Sequence, residues 1–304
     1  MFKPDVLRGK RVLVSGGGTG LGRGMADHFL AHGASVVICG RRGAVLDATA
    51  AELAARHGAG EGRIQTRVLD IRDAEAVDAT VEDLFRDADL DGLVNNAAGN
   101  FISPTEALSH RGFDAIAATV FHGSFYLTHA VGKRWIERAR ARGGWKPGEP
   151  MKSVLSISVT WVENGGPYTV PSAMSKAGLA TMTRSLAVEW ARHGIRLNAL
   201  GPGEIPTEGM NARLSPGEIP GERTRRSNPQ GRPGNLSELQ HLATFLMADG
   251  CDWLSGQCLY LDGAGALAHG GNFYALREWD DAQWQQARER IRAQDARDRA
   301  ARSG

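Results

Sequence analysis

The stretch Val14-Ser15-Gly16-Gly17-Gly18-Thr19-Gly20-Leu21-Gly22 constrains the fold more than any other. It follows the apolar run Val12–Val14 and precedes a helix-like segment, Arg23–His32, where Met25, Phe29 and Leu30 fall at helical spacing. A strand feeding a glycine-rich turn into a helix N-terminus gathers free backbone N–H groups and the positive end of the helix dipole. That combination suits an anion such as a phosphate, and glycine lets the backbone come close to it. The spacing is Gly-x-x-x-Gly-x-Gly, and no frame reads Gly-x-Gly-x-x-Gly. Alone, the run fits either a phosphate site or a tight structural turn.

The rest of the chain alternates strand and helix patterns. Ala34–Cys39 reads as a second strand, Val45–His57 as a helix, Ile64–Leu69 as a third strand and Asp73–Phe85 as a helix capped by Asp73. Leu93-Val94 begins a fourth strand. A long helical stretch covers Phe113 to about Arg142, and Gly143–Pro150 reads as an exposed loop. Ser153–Ser158 is a fifth strand, Ser172–His193 a helix, Ile195–Leu200 a sixth strand, Leu236–Met247 a helix and Gln257–Leu261 a last strand. This alternation predicts an α/β fold: a doubly wound parallel sheet of Rossmann type, with helices on both faces. Residues 1–270 are expected to form one domain, with a lid-like excursion at about 204–233 where periodicity fades among Gly, Pro and charged residues. Residues 271–304 are expected to form a helical tail around Trp279, Trp284 and Ile291, its arginines a solvated face.

Bulk properties narrow the function. A formal charge of +2 over 304 residues points to no nucleic-acid or membrane partner. Cys39, Cys251 and Cys258 have no metal-site spacing, and no apolar run approaches a bilayer's thickness, so the expectation is a cytoplasmic protein without a structural metal. His28 and His32 have the helical spacing of metal ligands but no third ligand nearby, and read as surface.

In a doubly wound sheet, ligands bind at the carboxyl ends of the strands. Gly16–Gly22, Arg41-Arg42, Asp70, Asn95–Gly99, Ser158 and Pro202-Gly203 follow the first six strands in turn, and so face one crevice. Arg41 stands where NAD-binding folds place a ribose-binding carboxylate. A guanidinium there pairs with a 2′-phosphate, which predicts NADP(H) as cofactor.

The glycine run, Asn95-Asn96-Ala97-Ala98-Gly99, Ser175-Lys176-Ala177-Gly178 and Pro202-Gly203 together resemble the short-chain dehydrogenase/reductase superfamily over roughly residues 8–265. More narrowly, Gly99–Glu106, Val170–Ala173 and the tail from Gly271 to Trp284 are similar to mitochondrial-type 2,4-dienoyl-CoA reductases. The resemblance implies a homotetramer that uses NADPH to reduce a conjugated acyl-CoA. It implies cofactor contacts from Gly16, Gly18, Thr19, Gly20, Leu21, Arg41, Asp70, Ile71, Asn96, Ala97, Ala98, Lys176, Pro202, Gly203 and Ile205, and acyl-CoA contacts from Arg72, Phe101, Ser109, Trp161 and Arg213.

The proton donor departs from the pattern. The superfamily's Tyr-x-x-x-Lys becomes Ser172-x-x-x-Lys176, and the tyrosine that dienoyl-CoA reductases carry fifteen residues before the lysine is Trp161. An indole N–H donates but does not titrate. Three substitutes present themselves: Tyr168, eight residues before Lys176; His122, where the superfamily often has a helix asparagine; and Ser158, whose family counterpart polarises a carbonyl. Reduction of a C=C through an enolate tolerates a missing acid better than ketone reduction does. The expected function is therefore NADPH-dependent reduction of an unsaturated acyl-CoA, with Lys176, Tyr168 and Ser158 as catalytic candidates. The alternatives are a reductase of another carbonyl or enoyl substrate, with Tyr168 as acid, and an NADP(H)-binding protein impaired in catalysis.

Overall fold

The structure is a computed structural model describing residues 1–58, 62–207, 219–268 and 274–290. The chain forms two compact units, Met1–Ala266 and Leu267–Gly304. The first holds a seven-stranded parallel sheet of order β3-β2-β1-β4-β5-β6-β7, made of β1 (Arg11–Ser15), β2 (Ser35–Gly40), β3 (Ile64–Val68), β4 (Gly92–Asn95), β5 (Lys152–Ile157), β6 (Ile195–Pro202) and β7 (Cys258–Leu261). The order reverses between β1 and β4, which pair in parallel with Val12 opposite Gly92 and Val14 opposite Val94. The crevice of a doubly wound sheet opens at such a reversal.

Two apolar layers cover the sheet. One face packs Val12, Val14, Val36 and Ile38 against α1 (Gly20–Ala31), α2 (Gly43–His57) and a helix at Leu236–Met247. The other packs Leu13, Val37, Leu93, Val154 and Leu197 against α3 (Ala74–Asp87), the helix Gly123–Ala141 and the helix Val170–Trp190. Neighbouring residues of one strand thus enter opposite layers, the period-two consequence of a pleat buried on both sides.

Four expectations need correction. The first helix begins at Gly20, inside the glycine run, and not at Arg23. Its apolar periodicity shows later because glycines, Gly20 and Gly22, fill half of the first turn. The helical stretch expected from Phe113 to about Arg142 starts earlier, at His110, and contains a π-helical turn, Ala118–His122, between α4 (His110–Ala117) and α5 (Gly123–Ala141). α4 starts early because the Ser109 hydroxyl accepts the Gly112 N–H at 3.1 Å, an N-cap. Third, the 204–233 excursion includes a helix, Glu222–Ser227, which is too short for its periodicity to show; residues 208–218 lie outside the described residues. With α6 (Trp161–Asn164) and α7 (Val170–Trp190), the helices Glu222–Ser227 and Leu236–Met247 become α8 and α9.

The fourth correction is the histidine pair. His28 and His32 are half-buried and not surface residues. Their rings lie 4.2 Å apart, and His241 from α9 approaches His28 to 5.3 Å. His28 Nδ1 is 2.7 Å from Thr244 Oγ1. The third ring comes from a helix more than 200 positions away, which spacing along α1 does not reveal. Among the described residues, no group of three or more His, Cys, Asp or Glu could hold a metal, and no helix is long and apolar enough to cross a membrane.

In the second unit, Tyr274–Glu278 forms a 3₁₀ turn and residues 281–290 a helix with mostly exposed side chains, Arg288 and Arg290 among them. The Trp279 and Trp284 rings meet edge to face at 4.9 Å, and Asp280 accepts the Gln283 N–H at 2.8 Å.

Among the described residues, Arg196 is the largest side chain buried below 2% exposure. Its guanidinium donates to Leu246 O at 2.7 Å and Ala248 O at 2.8 Å, closing the C-terminal end of α9. Replacing it by methionine fills much the same volume but leaves Ala248 O with only the Cys251 thiol at 3.6 Å, while Ser153 Oγ still reaches Leu246 O at 2.7 Å. Arg196→Met is expected to cost roughly 3 kcal/mol in denaturant unfolding. The histidine cluster makes a second prediction. Burial, then His32 and His241, lower the His28 pKa from 6.5 to about 4, with Asp27 opposing. A folded-state pKa below the unfolded one means that the unfolded chain takes up the proton first. Stability is therefore expected to fall as pH drops from 6.5 toward 4, and Tm measured between pH 7 and 5 should fall less in His28→Gln.

Candidate functional site

The glycine turn is shaped by what touches it. A Cβ on Gly22 would stand 2.4 Å from Gly16 O and from Asn96 Nδ2, and one on Gly16 would stand 3.0 Å from Ala97 Cα. Gly16 and Gly20 also have positive φ, +66° and +56°. Gly20 meets nothing nearer than the Thr207 methyl at 3.9 Å, so the turn is crowded beneath and open above. Thr19 is the N-cap of α1, but its side chain caps nothing, and the first turn holds no acidic residue. The N–H groups and dipole of α1 are thus left for an outside anion. Leu21 faces the core, and a Cβ on Gly18 would meet Leu46 at 3.2 Å, so these two shape the turn from below.

At the end of β2, Arg41 and Arg42 are exposed and have no ion-pair partner among the described residues. Asp70, after β3, is taken by Arg72, whose Nε donates to Asp70 Oδ1 at 2.9 Å. This bond is the chief cause that lowers the Asp70 pKa, and Arg41 adds to it. Arg72, expected at the acyl-CoA, therefore sits beside the Arg41 group. Ile71 is buried beneath α5, where its Cγ1 would lie 2.6 Å from a Cβ on Gly123. The Asn96 amide turns back to donate to Ser15 O at 3.0 Å and Gly16 O at 3.3 Å, bracing the glycine turn. Ala97 packs beneath that turn, and Ala98 is exposed.

Beyond β5 lies the polar centre. Ser158 is 1% exposed, and its Oγ has no partner in hydrogen-bond geometry. Lys176 is buried on α7 and donates to Ile157 O, the residue before Ser158; burial lowers its pKa from 10.5 to about 8. Ser172, one turn earlier on α7, is also buried, while Pro171 sits in the first turn, where its missing N–H costs nothing. Trp161 opens α6, and its Cβ lies against Gly166. Tyr168 is strained, with φ +61°, and 63% exposed; its carbonyl accepts the Ser103 N–H at 2.9 Å. His122 ends the π-helical turn and is exposed, so it is not the buried acid that its position suggests.

Two loops flank this centre. Phe101 is 36% exposed and lies with Ser109 around Gly112, where their Cζ and Oγ would each stand 3.3 Å from an added Cβ. The Ser109 hydroxyl is occupied as the α4 cap. Arg213 lies outside the described residues. Pro202 ends β6 and Gly203 follows it, the Gly203 N–H pairing with Leu261 O at 3.0 Å, and Ile205 is buried against Gly234. Glu204, between them, holds the returning limb of the excursion: its carboxylate accepts the Gly221 N–H at 3.0 Å and the Thr224 hydroxyl.

Sequence reasoning missed Glu204, and also Glu163, Cys258 and Tyr260. The Tyr260 hydroxyl donates to Glu163 Oε1 at 2.7 Å, linking β7 to α6. The Cys258 thiol interacts with Tyr260 and lies beside Ser158; burial raises its pKa. Only the pairing of β7 with β6, which sets Tyr260 opposite Gly201, brings these residues to the fifth strand's end.

Comparisons with known proteins agree with this geometry. Residues 16–265 match the family model described as enoyl-(acyl carrier protein) reductase. An uncharacterized oxidoreductase of Caenorhabditis elegans is 40% identical, over 97% of this chain and 92% of that protein. A C. elegans protein named a probable (3E)-enoyl-CoA-producing 2,4-dienoyl-CoA reductase is 38% identical over 99% and 95% of the two chains. A Bacillus subtilis protein named for the same reduction, but producing the (2E)-enoyl-CoA, is 35% identical over 84% and 95%. Among solved structures, a short-chain dehydrogenase from Bacillus anthracis superposes with a TM-score of 0.72 at 35% identity, covering 84% of this chain and 96% of that one. A gluconate 5-dehydrogenase from Burkholderia cenocepacia, solved with NADP and tartrate, gives 0.75 at 28% identity over 86% and 98%. With its reversed-order parallel sheet, its glycine turn and this likeness along nearly its whole length, the chain belongs to the short-chain dehydrogenase/reductase family of oxidoreductases.

Proposed function

We propose that this protein reduces a 2,4-dienoyl-CoA with NADPH. The observation that carries the proposal is the composition of the fifth strand's end. Ser158 and Lys176 are there, buried and adjacent, while Trp161 and Ser172 occupy both positions where a titratable donor is expected. Such a site can hold negative charge on oxygen but has no strong acid to hand, which suits an enolate better than an alkoxide. The names of the C. elegans and B. subtilis relatives support the same substrate class.

The residues fit a nicotinamide dinucleotide. The open face at Gly20 and the uncapped start of α1 suit its pyrophosphate, and the unpaired Arg41 and Arg42 suit a 2′-phosphate. The backbone from Pro202 to Ile205 and the Lys176 ammonium would hold its nicotinamide end. When bound, the cofactor supplies a hydride to the far end of the conjugated system. The chain's own part is to take the thioester oxygen: Ser158 Oγ has only the Cys258 thiol beside it and makes no well-aligned bond, and Lys176 brings a positive charge, so charge that builds there as a dienolate is met by fixed groups. Water can then protonate carbon. Phe101 and Trp161 give the acyl chain apolar contacts, with Ser109, Arg72 and Arg213 as further candidates toward the CoA moiety, and the protein works as a homotetramer.

Tyr168 as proton donor is the second reading, and its exposure disfavours it. Purified protein offered 2,4-dienoyl-CoA, 2-enoyl-CoA and 3-oxoacyl-CoA side by side is expected to oxidise NADPH fastest with the dienoyl-CoA, and NADH at least tenfold more slowly. Tyr168→Phe should keep its turnover within about twofold. Ready oxidation with the 3-oxoacyl-CoA alone, or loss of turnover in Tyr168→Phe, would refute the proposal. A pH prediction follows from Lys176. Its positive charge is needed on oxygen and is lost above about 8. kcat should hold level below that pH and decline above it, and Lys176→Met should abolish both the decline and most of the rate.

A further inference from the structure

We infer that Tyr260 and Glu163 are positioning residues that fix the Trp161 wall of the site and so set how tightly an acyl chain fits; the inference rests on the acyl-CoA reading above. Trp161 opens a helix of only four residues, α6, too short to be stable by itself. The backbone bonds of this turn are local: Val162 N–H to Val159 O, Glu163 N–H to Thr160 O and Gly165 N–H to Trp161 O. Glu163, two residues after Trp161, supplies a link to the sheet. Its Oε1 accepts the Tyr260 hydroxyl at 2.7 Å across 97 positions of sequence, while Arg184 stands farther off at 4.0 Å.

The other end of that link is rigid. Tyr260 lies in β7, in register with Gly201 of β6, and its ring covers the bare Gly201 Cα so closely that a Cβ there would fall 2.6 Å from Tyr260 Cδ1. That added Cβ would also approach the Val159 carbonyl carbon to 3.3 Å, so the ring sits over the strand end that carries Ser158. The Cys258 thiol, on the same face of β7, interacts with Tyr260 and neighbours the Ser158 hydroxyl. One phenol therefore ties the wall that bears Trp161 to the strand that bears Ser158. Burial and the Glu163 carboxylate raise the Tyr260 pKa, so the phenol remains a donor throughout the working range.

The test separates bracing from general stability. In Tyr260→Phe, amide hydrogen exchange over residues 159–166 should quicken at least tenfold, while exchange in β1 and β4 stays unchanged. The Kd for decanoyl-CoA, which cannot be reduced, should rise at least fivefold in the NADP⁺-loaded protein, with the Kd for NADPH unchanged. Glu163→Gln keeps an acceptor oxygen and should behave as wild type in both measurements. Glu163→Leu should match Tyr260→Phe, and the double variant should be no worse than either single one. Unchanged exchange in Tyr260→Phe would overturn the brace, and quickened exchange with unchanged decanoyl-CoA affinity would overturn its role in fit. Wild-type protein that binds no acyl-CoA would instead overturn the proposed function, while exchange would still decide the brace.

Discussion

The structure depends on one seam, where the ends of β1 and β4 meet at the reversal of strand order. The Ser15 hydroxyl donates to Val94 O at 3.2 Å and accepts the N–H groups of Asn96 and Ala97 at 3.0 and 3.1 Å. The Asn96 amide answers from the other side, onto the carbonyls of Ser15 and Gly16. The carboxyl ends of adjacent parallel strands would otherwise splay into a crevice with unsatisfied backbone groups. Here two side chains satisfy them, and the absence of side chains at Gly16 and Gly22 lets the two loops touch. The glycine turn is thereby held open upward, toward whatever the crevice binds.

Much of this was legible in the chain, because the signals are local. Buried parallel strands are short apolar runs, and Val36–Cys39 or Val154–Leu155 can be little else. The order of polar residues at the strand ends then follows from the fold class. What the sequence left hidden is which partner each side chain takes, in some cases distant in sequence and in others local. His241 reaches His28 only through the packing of α9 on α1. Asp70 claims Arg72 through a local turn that no motif marks. The Ser109 hydroxyl caps the first turn of α4, a role that its place in the sequence does not announce. Tyr260 belongs to no motif at all, and comes to the fifth strand's end only because β7 pairs with β6.

The same seam explains why the two halves of the crevice differ in character. On the β1–β3 side, the groups are backbone N–H donors and exposed guanidinium groups, a surface for phosphate. On the β5–β7 side, they are buried: an unpartnered hydroxyl at Ser158, a lysine whose pKa burial lowers, and a thiol whose pKa burial raises. Buried groups that include one lysine and no ready acid favour chemistry in which charge gathers on one oxygen and the proton arrives later. Trp161 opens α6 just beyond the fifth strand's end, at a position where the family resemblance implies a phenol.

Reduction through the proposed dienolate leaves its mark in the label pattern of the product. With 2,4-dienoyl-CoA and NADPH deuterated at the transferred position, in ordinary water, NMR of the product should find deuterium at the far end of the conjugated system. The second new hydrogen should come from solvent. Deuterium on the carbon beside the thioester, or a product reduced at the thioester carbonyl, would rule the dienolate out.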